Sequence, residues 1–119
     1  YDAIRRLIVA VGPAAAKQLM FTAKSIDAQH ALGIGLLQEV VNEQALKEHV
    51  HMLASTIASN APLTVKAMKF ISTQVMKSDH SLRDLEACDE MVAECFGSED
   101  YVEGRNAFVE KRKPIFKGF

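Results

Sequence analysis

The chain has 119 residues, 49% hydrophobic and 24% charged, with a formal net charge of −1. That length and balance suit one small globular domain. A charge so close to zero supplies no global field to draw the chain to nucleic acid or an anionic membrane, and no apolar run approaches the roughly 20 residues needed to cross a bilayer.

Helical periodicity runs through almost the whole chain. In "YDAIRRLIVAVG" Ile4, Leu7, Ile8 and Val11 recur at spacings of three and four, one stripe of a helix. Gly12 stops it, and Pro13 suits the first turn of the alanine-rich helix that follows. Asp27 is an N-cap for a short helix from Ala28 to about Leu32, with Gly33 and Gly35 offering left-handed exits. "LLQEVV" (36–41) is apolar and rich in β-branched residues, the one segment that reads as extended; a lone strand forms no sheet. Asn42 caps a helix with Leu46, Val50, Leu53 and Ile57 as its stripe. "SNAP" breaks it, and Pro62 opens a helix with Leu63, Ala67, Phe70, Ile71 and Val75 on one face. After the loop "KSDHS", Ser81 and Asp84 have the spacing of a capping box ahead of a stripe of Leu85, Cys88, Val92, Cys95 and Phe96. Gly97 ends that helix. Ser98 caps the last one, with Glu99 and Asp100 in its first turn and Pro114 as its stop. The expectation is an all-α fold of six or seven helices with one short extended segment. The sharpness of the stripes predicts that most apolar residues, the five methionines included, are core.

Chemistry-bearing patterns are few. Cys88 and Cys95 on one helix lie about 10 Å apart along its axis, too far for a disulfide, and read as small hydrophobes in a reducing compartment. His30, His49, His51 and His80 have no metal-ligand spacing. The chain carries no G-x-S-x-G nucleophile motif and no Walker or Rossmann glycine pattern, and "GIG" (33–35) lacks a third glycine. Asp89–Glu90 and Glu99–Asp100 read as solvated charge and helix-dipole complement. The one basic cluster is terminal: Lys111, Arg112 and Lys113, where cations complement a helix C-terminus, with Phe108 and Phe116 expected to pack the helix down. The start shows no signal peptide and no initiator methionine, so the chain reads as truncated at its N-terminus.

The order of segments resembles the enoyl-CoA hydratase/isomerase, or crotonase, superfamily. In "RRLIVAVGPAAAKQLMFTAKSIDAQHALGIGLLQEVV" the marks are Arg6–Leu7, Val11–Gly12, the Ala16–Phe21 helix, Ile26 with Ala28, Ala31 with Gly35–Leu36, and Val40–Val41. "NAPLTVKAMK" (60–69) is similar to the family's N-A-P-x-A-V-x-x-x-K, and residues 98–118 resemble its closing S-x-D-x-x-E-G-x-x-A-F-x-E-K-R-x-P-x-F. Their ordered succession covers essentially the whole chain.

The resemblance implies the C-terminal helical region of a crotonase fold without the N-terminal β/α spiral. Residues 1–41 would form the junction with the spiral core and 42–119 the helical oligomerisation part. It implies an enzyme of acyl-CoA thioesters, most simply the hydration of a 2-enoyl-CoA through an enolate-like state in an oxyanion hole. In the family the two oxyanion donors and the proton-transferring carboxylates lie upstream, so no catalytic residue is expected here and the chain alone is expected to be inactive. The positions of Phe108 and Lys111 would meet the adenine end of coenzyme A, which arrives as part of the substrate; no tightly bound cofactor and no metal is expected. Arg112 could equally serve an ion pair within a trimer. The resemblance further implies a homo-oligomer, a trimer or hexamer in the parent and a dimer or higher for this chain, bound to neither nucleic acid nor membrane, in a bacterial cytoplasm or an organellar matrix. A stand-alone helical association module and a crotonase-like protein without catalytic residues remain alternative readings.

Overall fold

A computed structural model describes all residues, 1–119. It contains six α-helices and no strand: α1 (Asp2–Thr22), α2 (Ala28–Gly33), α3 (Glu43–Ala58), α4 (Pro62–Val75), α5 (Leu85–Gly97) and α6 (Glu99–Glu110), with a 3₁₀ turn at His80–Leu82. The all-α architecture expected from periodicity holds. α1 is two helices joined at Gly12, whose φ of 77° and ψ of 162° no helix contains, with Pro13 restarting the run. Residues 36–41, expected to be extended, form no strand and connect α2 to α3.

The chain divides into two compact units, Tyr1–Lys47 and Glu48–Phe119, with the division inside α3. In the first unit the Asp27 carboxylate accepts the His30 N–H at 2.7 Å, which caps α2 as its sequence position predicts. Gly35, at φ 78°, makes the left-handed exit; Gly33 stays within the helix. A side chain at Gly35 would stand 3.7 Å from the Ala10 carbonyl oxygen, so α1 approaches this turn closely. Ala16 and Ala31 are the buried residues here.

In the second unit α4 packs on α5, and α5 on α6. The α4–α5 connection is fastened by side chains. Arg83 donates through Nη2 to the carbonyls of Val75 (2.9 Å) and Lys77 (3.0 Å), which supplies partners for the open C-terminal end of α4. The side-chain Oε1 of the buried Gln74 accepts from Lys77 Nζ and from the Asp84 N–H. The expected Ser81–Asp84 capping box does not form. Asp79 accepts the Ser81 N–H and hydroxyl and caps the 3₁₀ turn, while Asp84 caps α5 through the Ala87 N–H at 3.0 Å. The Ser81 hydroxyl was therefore already committed two residues back. Those same two bonds hold the Asp79 carboxyl below its ordinary range.

One expectation is overturned. The stripes have the predicted helical phase, but most of their large residues are not core. Leu46, Val50, Leu53 and Ile57 of α3 are each about half exposed, and α3 buries no residue at all. Met52 and Met68 are more than half exposed, as are Leu85 and Phe96 of the α5 stripe. The buried apolar residues are four alanines and Cys88, and no large side chain is fully buried. The physical reason is that periodicity fixes which face is apolar, whereas burial requires a second surface against that face.

Candidate coenzyme-binding tail

α6 starts as its sequence predicts. The Ser98 hydroxyl accepts the Tyr101 N–H at 3.1 Å, and Glu99 and Asp100 occupy the first turn, where the dipole favours acids. Its end differs from expectation. The helix stops at Glu110, four residues before Pro114, because Lys111 adopts a left-handed conformation (φ 53°, ψ 39°). Lys111, Arg112 and Lys113 therefore follow the helix rather than forming its last turn. The N–H of Arg112 reaches the Ala107 carbonyl at 3.0 Å and that of Lys111 the Phe108 carbonyl at 3.3 Å, which satisfies two open acceptors of the last turn.

From there the tail folds back along one face of α6. Arg112 forks onto Glu103, Nη1 to Oε1 at 2.5 Å and Nη2 to Oε2 at 2.8 Å, and its Nε reaches Glu110 at 2.5 Å. Glu103 also accepts the Ile115 N–H at 2.8 Å. The Arg112 fork and the Ile115 N–H hold the Glu103 carboxyl down at about 2. Gly104 lets the Phe116 ring approach, since a β-carbon there would stand 3.5 Å from it. At the helix start the Asp100 carboxylate, 3% exposed, accepts the N–H groups of Lys117 (2.7 Å) and Gly118 (2.8 Å). Gly118 turns with φ 88° and lies against Pro62, 3.4 Å from where its β-carbon would be.

Asp100, Glu103, Gly104 and Ala107 recur at three, one and three, one stripe of α6, and the tail covers it. The sequence presents Asp100 as solvated charge in the first turn, and the structure corrects this: it is 3% exposed and bonded to the tail, while Glu103, Gly104 and Ala107 carry no role in the sequence pattern. Their spacing was the available signal; their partners, up to 18 residues away, were not.

The two site residues expected from sequence stand apart from this lattice. Phe108 is 86% exposed, so it does not pack the helix down; Phe116, half-buried on Gly104, does. Lys111 is exposed on the cap itself, and its backbone N–H bonds the Phe108 carbonyl. Arg112 finds its ion-pair partners within the chain. Phe108 stands on the edge of an apolar trough of about 710 Å³ between α4, α5 and α6, where Leu63, Met68, Val92 and Phe96 contribute walls and Phe96 meets Tyr101 edge-on at 5.1 Å.

Residues 2–118 match the model of the enoyl-CoA hydratase/isomerase family. The chain belongs to that family. It is 40% identical over 113 residues to a short-chain-enoyl-CoA hydratase of Clostridium acetobutylicum, covering 95% of this chain and 43% of that protein. It is 39% identical over 104 residues to a methylmalonyl-CoA decarboxylase of Escherichia coli, covering 86% and 40%. Among solved structures, an enoyl-CoA hydratase from Bacillus anthracis superposes with a TM-score of 0.78 at 33% identity, over 98% of this chain and 45% of the other. A family protein from Hyphomonas neptunium superposes with a TM-score of 0.82 at 28% identity, over 98% and 44%. The chain thus spans less than half the length of these relatives, and its six helices correspond to the C-terminal helical part of the crotonase fold. No helix is long and apolar enough to cross a membrane.

Proposed function

We propose that this chain is the helical, coenzyme-engaging and self-associating part of a crotonase-family enzyme that acts on acyl-CoA thioesters, with hydration of a short 2-enoyl-CoA as its reaction. One observation carries the reading. The closing family motif is consumed by structure at almost every position: Ser98 caps, Asp100 and Glu103 hold the tail, Gly104 admits Phe116, Ala107 is buried, and Glu110 pairs with Arg112. Among the motif's exposed positions, Phe108 offers an aromatic face and Lys111 an ammonium, and a backbone bond joins the two residues. A ring can lie against adenine, and an ammonium meets a phosphate as a point charge. Hydratases among the relatives favour hydration over the decarboxylation that another relative's name describes.

The chemistry explains why this chain alone is proposed to be inactive. When water adds across the double bond, negative charge gathers on the thioester oxygen and requires two fixed donors about 3 Å away. Losing one such donor typically costs about 10²–10³ in rate. A base must also take the proton of the attacking water. In this reading both functions belong to the spiral part of the fold, and residues 42–119 serve binding and oligomerisation. The test is to incubate the purified chain with crotonyl-CoA and follow the enoyl absorbance. Absorbance that stays at the rate of the buffer blank supports the division of labour; protein-dependent turnover would overturn it.

A further inference from the structure

Lys111 occupies a backbone state that a residue with a β-carbon adopts reluctantly and that glycine or asparagine usually fills at a helix end. Ala23 ends α1 in the same state through its backbone alone; at Lys111 the Arg112 side chain is added. Arg112 binds two acids that precede Lys111 in sequence: Nε on Glu110 just before it, and the two terminal nitrogens on Glu103, nine residues back from the arginine. Nη1 also reaches the Lys113 carbonyl at 3.3 Å. A guanidinium is planar, so these bonds fix its position and orientation together. Every nitrogen of Arg112 is spent within the chain, whereas the Lys111 ammonium has no partner in it.

We infer that Arg112, clamped by Glu103 and Glu110, is the positioning residue that holds Lys111 in its left-handed cap and presents its ammonium beside Phe108 to the phosphates of coenzyme A. This rests on the reading that Phe108 and Lys111 meet that end of the substrate. The arginine contacts no ligand itself. Its contribution is to keep the lysine from relaxing into the many conformations of an unrestrained tail, an ordering cost that binding would otherwise bear.

The experiment titrates the full chain with coenzyme A and, separately, with adenosine, which carries the ring and no phosphate, and follows both by NMR at one ionic strength. Lys111→Ala is expected to weaken coenzyme A binding about twofold to fivefold, the scale of one exposed charge contact. Arg112→Ala is expected to cost the same, and Arg112→Lys, which keeps the charge and loses the fork, to behave like it. The double variant K111A/R112A is expected to be no weaker than either single one, since both remove the same contact. Adenosine binding stays at the wild-type value throughout. Losses that add in the double variant would overturn the inference, because Arg112 would then touch the ligand. Wild-type affinity in R112A or R112K would overturn it as well. If R112A loses helical circular dichroism, Glu103→Gln replaces it, with the same weakening expected and wild-type affinity contradicting it. A wild-type chain that shows no preference for coenzyme A over adenosine removes the underlying reading and this inference with it, which separates the two failures.

Discussion

Asp100 shows how one side chain can govern the end of a chain. Its carboxylate is the acceptor for two consecutive backbone N–H groups, of Lys117 and Gly118, at a site almost without solvent. Asp100→Ala leaves both donors without their acceptor, and the expected cost is about 2–3 kcal/mol in the unfolding of the second unit, read by urea denaturation. Glu103 adds a pH dependence. Its carboxyl titrates near 2 in the folded chain against an ordinary 4.5, because Arg112 and the Ile115 N–H bond its charged form and Lys117 adds a weaker attraction. A depressed folded value means that the bond contributes fully above pH 4.5 and is lost as pH falls from there through 2. The Ile115 amide should accordingly gain hydrogen-exchange exposure within that window, after correction for intrinsic rates, and lose this response in Glu103→Gln.

At the scale of elements, what the sequence revealed depended on range. The caps Asp27 and Ser98, the break at Gly12 and the restart at Pro13 were legible, because each acts within about four residues. Gln74 and Arg83 were not, since groups that they satisfy come from separate turns; Asp79 acts only two residues away and was hidden because the nearby Ser81–Asp84 spacing pointed to a different cap. The end of α6 was misread for a similar reason. Pro114 is a sound local stop, yet a left-handed Lys111 held by a fork nine residues back ends the helix earlier. This conformation should have a measurable cost. Lys111→Gly relieves about 1–2 kcal/mol of left-handed strain and gives back about 0.4–1 kcal/mol through a looser unfolded chain. The expected net is a gain of about 0.5–1 kcal/mol and a Tm higher by a few degrees in calorimetry, together with weaker coenzyme A binding.

For the molecule as a whole, the stripes read from sequence have the right phase and the wrong environment. Leu46, Val50, Leu53 and Ile57 lie on one face of α3 as predicted, and nothing within the chain buries them. Phase is a property of sequence; burial is a property of what lies opposite. Faces of this kind drive association, so the chain is expected to scatter light as a dimer or larger at tens of micromolar, with the mass falling on dilution; a concentration-independent monomer would contradict this. Family membership was legible because the motif residues form a connected set, Asp100 and Glu103 with the tail, Gly104 with Phe116, and such a set constrains spacing over 20 residues. Phe108 and Lys111, exposed within that motif, carry the central functional claim. The most direct test is a coenzyme A titration of the chain, followed at the backbone amides of these two positions. The account predicts saturable shifts centred on Phe108 and Lys111, reproduced by crotonyl-CoA; unmoved signals there, or shifts confined to another part of the chain, would contradict it.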